Sequence, residues 1–129
     1  MHENEISEHV IGAAIEVHRV LGPGLIESVY EEALCCELTL RGLAFCRQKK
    51  LPVRFKGNLL ASELRIDLLV EERVIVELKA KDVLSPIDKP QLLTYLRLAG
   101  LRLGLLINFH ETLLKDGVSR VVNRLDDTP

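Results

Sequence analysis

Apolar residues recur at two different periods along the chain, and each period predicts a different element. Over the first 41 residues they return every three or four positions, which is typical of helices with one buried face. The first helix is predicted to end at Gly22-Pro23-Gly24. The second is predicted to extend from about residue 25 to residue 41, with Gly42 as its stop. We therefore expect two helices before any strand.

From about residue 44 to residue 80, apolar and polar residues alternate, which predicts strands instead of helices. Three strands are predicted, and Lys56-Gly57-Asn58 is typical of the turn between the first two. Strands joined by such short connections form an antiparallel meander. They are expected at about residues 44 to 55, 59 to 70 and 74 to 80.

A third helix and a buried strand are predicted after the meander. Asp88 is expected to be the N-cap of the helix, with Gln91 three residues later in a capping-box position, and Gly100 ends the helix. Residues 101 to 109 are almost all apolar, which indicates a strand buried on both faces and parallel to its neighbour. Residues 117 to 123 predict a last edge strand. The expected fold class is α/β.

Two acidic residues interrupt the apolar pattern of neighbouring strands, Asp67 in one and Glu77 in the next. Buried charges are costly, so acids among valines and leucines need a physical reason. Loop length decides whether the two acids meet. A three-residue loop, Glu71-Glu72-Arg73, pairs Val70 with Val74 and places Asp67 opposite Glu77, about 5 Å apart at Cβ. A two-residue turn would put the acids on opposite faces of the sheet.

The apolar pattern favours the three-residue loop, because only that register puts the even-numbered apolar residues of both strands on one face. In that register Arg65 faces Lys79, just as Asp67 faces Glu77. Like charges directly opposite each other destabilise a sheet unless something neutralises them. A divalent cation between the acids is one remedy, for which their hard oxygen ligands suit Mg²⁺ or Mn²⁺. Salt bridges across the four charges are the other remedy.

Two sequence motifs resemble those of a known family. Asp67 followed by Glu77-Leu78-Lys79 resembles the signature of the PD-(D/E)xK nuclease superfamily, and Gly24-Leu25-Ile26-Glu27-Ser28-Val29-Tyr30 resembles that of its GxxExxY branch. The resemblance extends from about Ile11 to Val121-Val122-Asn123, nearly the whole chain. It implies a restriction-endonuclease-like αβββαβ core with a mixed sheet and an extra N-terminal helix, as a single domain over residues 1 to 129. It also implies a Mg²⁺-dependent nuclease that hydrolyses nucleic-acid phosphodiester bonds.

The resemblance also implies a metal site. In the superfamily's pattern Asp67, Glu77 and the Leu78 carbonyl would hold one Mg²⁺, with Mn²⁺ as a substitute. An acid from the helix that precedes the sheet completes such a site, and Glu27 is the acid of the GxxExxY run. The residues alone also allow a plainer role for Glu27, because an acid in the first turn of a helix is stabilising without any function.

Catalytic roles follow from the same resemblance for two more side chains. Lys79 would position or deprotonate the attacking water and stabilise charge on the phosphate, although an ion pair on an exposed strand is the plainer explanation. Gln91 would help to orient the water, although helix capping also explains it. Tyr95, one turn beyond Gln91, could support it or stack on a base.

Basic residues concentrate in residues 47 to 56, which hold five Lys or Arg and no acid. Such a run is either a solvated edge strand, protected by its charges against aggregation, or a contact for the phosphate backbone. The candidates for binding nucleic acid are Arg65, Lys49, Lys50, Arg54 and Tyr95. The whole chain has a net charge of −2 and a pI near 6.1, so it lacks the broad positive surface of a tight duplex binder.

Length and composition indicate a small intracellular protein. With 129 residues and 47% hydrophobic content, one domain is expected. Apolar runs are shorter than a membrane span needs, and the N-terminus is acidic where a secretory signal would be basic, so a cytoplasmic location is expected. Nucleic acid, and DNA in particular, is the expected partner, and a chain this small is expected to form a homodimer to cut both strands. A catalytically inactive nuclease-fold module that binds nucleic acid or protein remains the alternative.

Overall fold

The computed structural model describes residues 1 to 126, which form three α-helices, five strands and one short 3₁₀ helix. The helices are α1 (Glu3–Leu21), α2 (Glu27–Leu40) and α3 (Asp88–Ala99), and the 3₁₀ helix is Leu114–Gly117. The strands are β1 (Phe45–Phe55), β2 (Asn58–Val70), β3 (Val74–Lys79), β4 (Leu103–Asn108) and β5 (Val118–Val122). The last three residues of the predicted domain, 127 to 129, lie outside the described residues.

The five strands form one mixed sheet in the order β1-β2-β3-β4-β5. The first three strands make the predicted antiparallel meander. After β3 the chain crosses over through α3 and returns as β4, which is parallel to β3, while β5 is antiparallel to β4. The predicted order of elements is confirmed, and so is the α/β class with an additional N-terminal helix.

Helices cover both faces of the sheet. One apolar core contains residues of α1 and α2 together with Val74, Val76 and Leu78 of β3. The second core lies on the α3 side and contains Ile75 of β3 together with Leu92 and other residues of α3. All six residues of β4 are buried, as the unbroken apolar run predicts for a central strand covered on both faces.

The predicted register between β2 and β3 is confirmed. Val70 pairs with Val74, Leu69 with Ile75 and Leu68 with Val76, which requires the three-residue loop 71 to 73. The first two residues of that loop adopt positive φ angles of 53° and 56°, which reverse the chain over so few residues.

On the N-terminal side of Leu68 the predicted positions of two β2 residues are wrong. Ile66 was expected on the same face as Leu68, but it packs in the second core, on the α3 side. Arg65 was expected opposite Lys79, but it pairs with Lys50 of β1. Both differences arise because β2 leaves β3 at this point and continues as a partner of β1 alone, so its faces are no longer set by β3.

The continuation of β1 and β2 is a long hairpin. Its tight turn, at Lys56 and Gly57, adopts positive φ angles of 50° and 82°, which are typical of two-residue hairpin loops. A register shift between Pro52 and Arg54 bends the pair. Every residue from 54 to 63 is exposed.

Two further features concern the cysteines and the helices. The three cysteines are free, with Cys35 buried and Cys36 and Cys46 exposed. Among residues 1 to 126, none of the helices has both the length and the apolar character needed to cross a membrane.

Candidate functional site

Asp67 and Glu77 are held side by side at the point where β2 and β3 separate. Backbone pairing ends at Leu68 and Val76, and beyond it two backbone N–H groups donate to carboxylates instead of to carbonyl oxygens. The Leu78 backbone N–H donates to Asp67 Oδ2 at 2.8 Å, and the Asp67 backbone N–H donates to Glu77 Oε1 at 3.4 Å. Each acid therefore accepts from the opposite strand, which fixes the two carboxylates as neighbours.

Burial and mutual repulsion perturb the Glu77 carboxyl strongly. Glu77 is only 9% exposed, and burial, followed by the charge of Asp67, raises its pKa from 4.5 to about 9. The Glu77 carboxyl therefore favours its neutral, protonated form. A divalent cation can replace this proton, because it neutralises both carboxylates and prefers hard oxygen ligands. The donor set thus fits Mg²⁺ or Mn²⁺.

Lys79 lies on the same strand as Glu77, two residues further along, and so faces the same side of the sheet. Its ammonium opposes the rise in the pKa of Glu77, although burial and Asp67 have larger effects. The backbone around it is fixed by β4. Phe109 donates to the Lys79 carbonyl at 2.9 Å, and the buried Asn108 amide donates to the Lys81 carbonyl at 2.8 Å.

Glu27 is the first residue of α2, and its side chain is exposed. Partial burial and then the Asp67 carboxylate raise the pKa of Glu27, and the Lys79 ammonium opposes this shift. These effects place Glu27 within electrostatic reach of Asp67 and Lys79. Within residues 1 to 126, however, no group of three or more His, Cys, Asp or Glu side chains is arranged to hold a metal ion. The structure thus brings Asp67 and Glu77 together and leaves Glu27 at their margin.

Tyr30 explains the spacing of the run from Gly24 to Tyr30. Its ring is fully buried and stacks on Phe109, with ring centroids 4.5 Å apart. Its hydroxyl donates to the Gly22 carbonyl at 2.5 Å and accepts from the Leu25 backbone N–H at 3.1 Å. Tyr30 therefore fastens the loop that precedes α2, and so determines where Glu27 begins the helix.

A hydrogen-bonded cluster that the sequence did not predict lies beside Asp67. Glu31 is 6% exposed and accepts from Arg47 Nε at 2.6 Å and from Gln48 Nε2 at 2.9 Å. Gln48 Nε2 also lies 3.5 Å from Asp67 Oδ1. The only sequence signal was the spacing of Glu27 and Glu31, which lie one helical turn apart.

Gln48 adopts a backbone conformation that is rare for its residue type. Its φ angle is 53°, although it lies inside β1. Consecutive side chains of a regular strand point to opposite faces, so Arg47 and Gln48 could not both reach Glu31 from such a strand. Strain of this kind persists only where surrounding contacts hold it, and it concentrates at functional sites.

The start of α3 corrects one prediction. Asp88 is the first helical residue and not the N-cap, which is Ile87. The Asp88 carboxylate instead accepts from the Ser85 backbone N–H and from Lys81 Nζ, both at 2.7 Å. Although burial alone would raise the pKa of Asp88, these bonds hold it below its usual range. The carboxylate thus ties α3 to the segment that follows β3.

Two predicted side chains of α3 differ in position. Gln91 is exposed in the first turn of the helix. Tyr95, one turn later, packs against the second core and is half-buried. Burial, then the charges of Glu77 and Asp67, raises the pKa of Tyr95, so its hydroxyl lies within electrostatic reach of the acid pair.

The predicted basic residues line the hairpin that leaves the site. Lys49, Lys50, Arg54 and Arg65 are all exposed. Lys50 and Arg65 are directly opposite on β1 and β2, two residues beyond Asp67. The Lys50 ammonium also lies 3.4 Å from Glu63 Oε1. A positive surface therefore begins next to the acid pair and continues outward.

Comparisons with known proteins identify the superfamily of the chain and agree with its fold. The family model described as the PD-(D/E)XK nuclease superfamily matches residues 4 to 121, so the chain belongs to this superfamily. The crystal structure of a protein named SSO0001 is similar in fold, with a TM-score of 0.53 and 19% sequence identity. The match covers 97% of this chain but only 61% of SSO0001. No curated protein matches the chain.

Proposed function

We propose that this protein is a metal-dependent nuclease that hydrolyses phosphodiester bonds in nucleic acid, with DNA as the expected substrate. The observation that carries the proposal is the contact of Asp67 with Glu77, with Lys79 beside them, in a chain of the PD-(D/E)XK nuclease superfamily. The raised pKa of Glu77 supports it, because a carboxyl that favours its protonated form beside a second acid can exchange its proton for a cation.

The side chains have distinct roles in the proposed reaction. Asp67 and Glu77, with the Leu78 carbonyl, would hold a Mg²⁺ or Mn²⁺ ion, and Glu27 would add negative charge from α2. A bound Mg²⁺ or Mn²⁺ supplies Lewis-acid polarisation of the phosphodiester and a water of lowered pKa. The Lys79 ammonium positions the attacking water and stabilises the negative charge that develops on the phosphate.

Residues of α3 and the hairpin act around this centre. Gln91 orients the water from the exposed first turn of α3, and Tyr95 supports it or stacks on a base. Arg65, Lys49, Lys50 and Arg54 contact the phosphate backbone, which makes binding sensitive to salt.

The finer identity of the protein is part of the same proposal. The run from Gly24 to Tyr30 supports membership of the GxxExxY branch, because Tyr30 fastens the loop before α2 and Gly24 adopts a φ angle of 95° in that loop. We treat residues 1 to 129 as one domain that acts in the cytoplasm. A homodimer is the form expected to cut both strands of a duplex.

A second candidate is a nuclease-fold module that binds nucleic acid or protein partners without cleavage. It is favoured by one observation, that no three-acid group within residues 1 to 126 is arranged to hold a metal ion. Such a module would use the basic hairpin but not the acid pair.

One experiment separates the two candidates. Labelled single-stranded, duplex and branched DNA and single-stranded RNA are incubated with wild type, Asp67→Asn and Lys79→Ala, each with Mg²⁺, Mn²⁺ or EDTA. Cleavage by wild type that requires a cation and disappears in both variants supports the nuclease. Binding of nucleic acid by wild type without any cleavage supports the inactive module. Calorimetric Mn²⁺ titration gives an independent result, because heats that are negligible for wild type and unchanged in Asp67→Asn exclude the metal site.

A further inference from the structure

The outer half of the β1–β2 hairpin, residues 54 to 63, stands clear of the rest of the described chain. All ten residues are exposed. Because consecutive side chains of a strand point to opposite faces, exposure of all ten means that both faces of the ribbon are open to solvent. β3 covers only residues 68 to 70 of β2. A ribbon of two strands is only marginally stable alone in water, so one this long needs a role outside the core.

The charge of the hairpin identifies a polyanion as its partner. Residues 47 to 65 contain six Lys or Arg and one acid, Glu63, whereas the whole chain has a net charge of −2. Lys50 and Arg65 are directly opposite each other, which is unfavourable on a sheet without an anion. Glu63 lies beside Lys50 and offsets one of the two charges. The remaining positive charge is complementary to a sugar-phosphate backbone.

The tip of the hairpin adds an apolar surface to this charge. Phe55 is 60% exposed, Leu59 59% and Leu60 41%. The Lys56 ammonium lies 5.4 Å from the centre of the Phe55 ring. An exposed aromatic ring among cations is the combination on which bases stack in proteins that bind single-stranded nucleic acid.

We propose that residues 47 to 65 form a nucleic-acid-binding arm, in which the basic stem follows the sugar-phosphate backbone and Phe55 stacks on an unpaired base. The inference deepens the proposed function and rests on it in one respect: Asp67 lies at the root of the arm, so a strand that follows the stem inward arrives at the acid pair. From the tip to Asp67 the arm spans about 30 Å at the rise of a β-strand. The hairpin of a second copy is a poorer partner for this surface, because two ribbons of the same charge repel each other.

The first test measures binding without cleavage. Fluorescence anisotropy with labelled single-stranded DNA, single-stranded RNA and blunt duplex is recorded in EDTA over a range of salt concentrations. The double variant Arg54→Glu/Lys56→Glu should weaken binding at least tenfold and reduce the slope of log K against log salt by about 1 to 2, since each lost phosphate contact lowers it by about 0.7 to 0.9. Lys115→Glu is the control, because Lys115 is exposed near the opposite edge of the sheet.

The second test observes the tip directly. The chain contains no Trp, so Phe55→Trp introduces a single fluorophore that retains the stacking surface. Its emission should be quenched on saturation with single-stranded nucleic acid, and less by blunt duplex. Leu113→Trp, at a site that is 52% exposed and lies in the connection between β4 and β5, the two strands farthest from β1 in the sheet order, should show no quenching. Phe55→Ala should weaken binding of single strands about tenfold, the size of one base-stacking contact, and leave the salt slope unchanged.

The outcomes separate the arm from the catalytic proposal. Quenching of Phe55→Trp and weaker binding by the charge reversal support the arm, whether or not the protein cleaves. Cleavage by wild type with unchanged binding in both hairpin variants overturns the arm and leaves the nuclease intact. If light scattering shows a dimer that Phe55→Asp dissociates while binding of nucleic acid is unchanged, the hairpin is a dimer contact and the arm is wrong.

Discussion

The Asp67 carboxylate accepts a hydrogen bond from the backbone N–H of Leu78, at 2.8 Å, where the ladder between β2 and β3 would otherwise continue. One oxygen of Asp67 therefore completes the sheet, while the other is directed toward Gln48 at 3.5 Å. The same side chain thus has a structural role and a proposed metal-binding role. Substitutions at Asp67 can separate the two.

Asp67→Asn and Asp67→Ala should both lose metal binding and cleavage, but they should differ in stability. Asparagine retains an oxygen for the Leu78 N–H and removes the repulsion with Glu77. Alanine leaves that N–H without its acceptor, which costs about 1 to 3 kcal/mol when the group is buried. We expect Asp67→Asn to be the more stable by about 1 kcal/mol or more in urea unfolding at pH 8 in EDTA. Equal stabilities would show that the bond to Leu78 contributes little.

Glu77 should make the metal-free protein less stable as pH rises. Its pKa is raised to about 9 in the native state from 4.5, so between these values the native state binds the proton more tightly than the unfolded chain. Stability from this group is therefore complete below about pH 4.5 and is lost as pH rises through about 9, by at most about 1.4 kcal/mol per pH unit.

Urea unfolding of wild type and Glu77→Gln at pH 5, 7 and 9 in EDTA checks this dependence. The stability of wild type relative to Glu77→Gln should fall across that range. Glu72→Gln, exposed in the loop before β3, is the matched control and should follow wild type. Saturating Mg²⁺ should restore stability to wild type at pH 8 and have little effect on Glu77→Gln. A relative stability that does not change with pH would contradict the raised pKa.

The sequence predicted those features that depend on neighbours along the chain. Apolar periodicity located the helices and strands, and loop length with apolar alternation determined the register from Val70 to Val74 that brings Asp67 to Glu77. Prediction failed where contacts between distant segments determine the position of a side chain. Glu31 is fixed by Arg47 and Gln48 from another element, and no periodic pattern signals that contact.

The face of Ile66 shows the same limit. Alternation assigns it to the face of Leu68, and this is correct only while β2 stays paired with β3. Once β2 separates, its packing depends on where α3 lies, and Ile66 joins the α3 core. The exposure of residues 54 to 63 also depends on the rest of the chain. Alternation marks one face of a strand as apolar, but it does not show whether another element packs on that face.

Lys79→Ala should slow cleavage without weakening metal binding. The Lys79 ammonium opposes the rise in the pKa of both Glu27 and Glu77, so it also repels a cation bound there. Its removal should leave Mn²⁺ affinity unchanged or tighter in calorimetry, while the cleavage rate falls about 100-fold or more through loss of charge stabilisation. Lys115→Ala should change neither quantity. Weaker metal binding with parallel loss of cleavage would instead assign Lys79 a structural role.

Gln48 offers a test of stored backbone strain beside the candidate site. At a φ angle of 53°, glycine is strain-free and alanine is not, so Gln48→Gly should be more stable than Gln48→Ala by about 1 kcal/mol. This order is the reverse of that expected inside an ordinary strand, where glycine is the weaker residue. Lys49→Gly and Lys49→Ala, at the next position of β1, provide the ordinary comparison.

The same variants test whether the strained Gln48 residue orients Asp67 for metal binding. Both Gln48→Gly and Gln48→Ala remove the amide that bonds to Glu31 and lies beside Asp67. If the cluster positions Asp67, both variants should weaken Mn²⁺ binding, although the glycine variant is the more stable of the two. Metal affinity that follows stability across the two variants would indicate only general loosening. Affinity reduced equally in both, despite their different stabilities, would indicate that the amide orients the carboxylate.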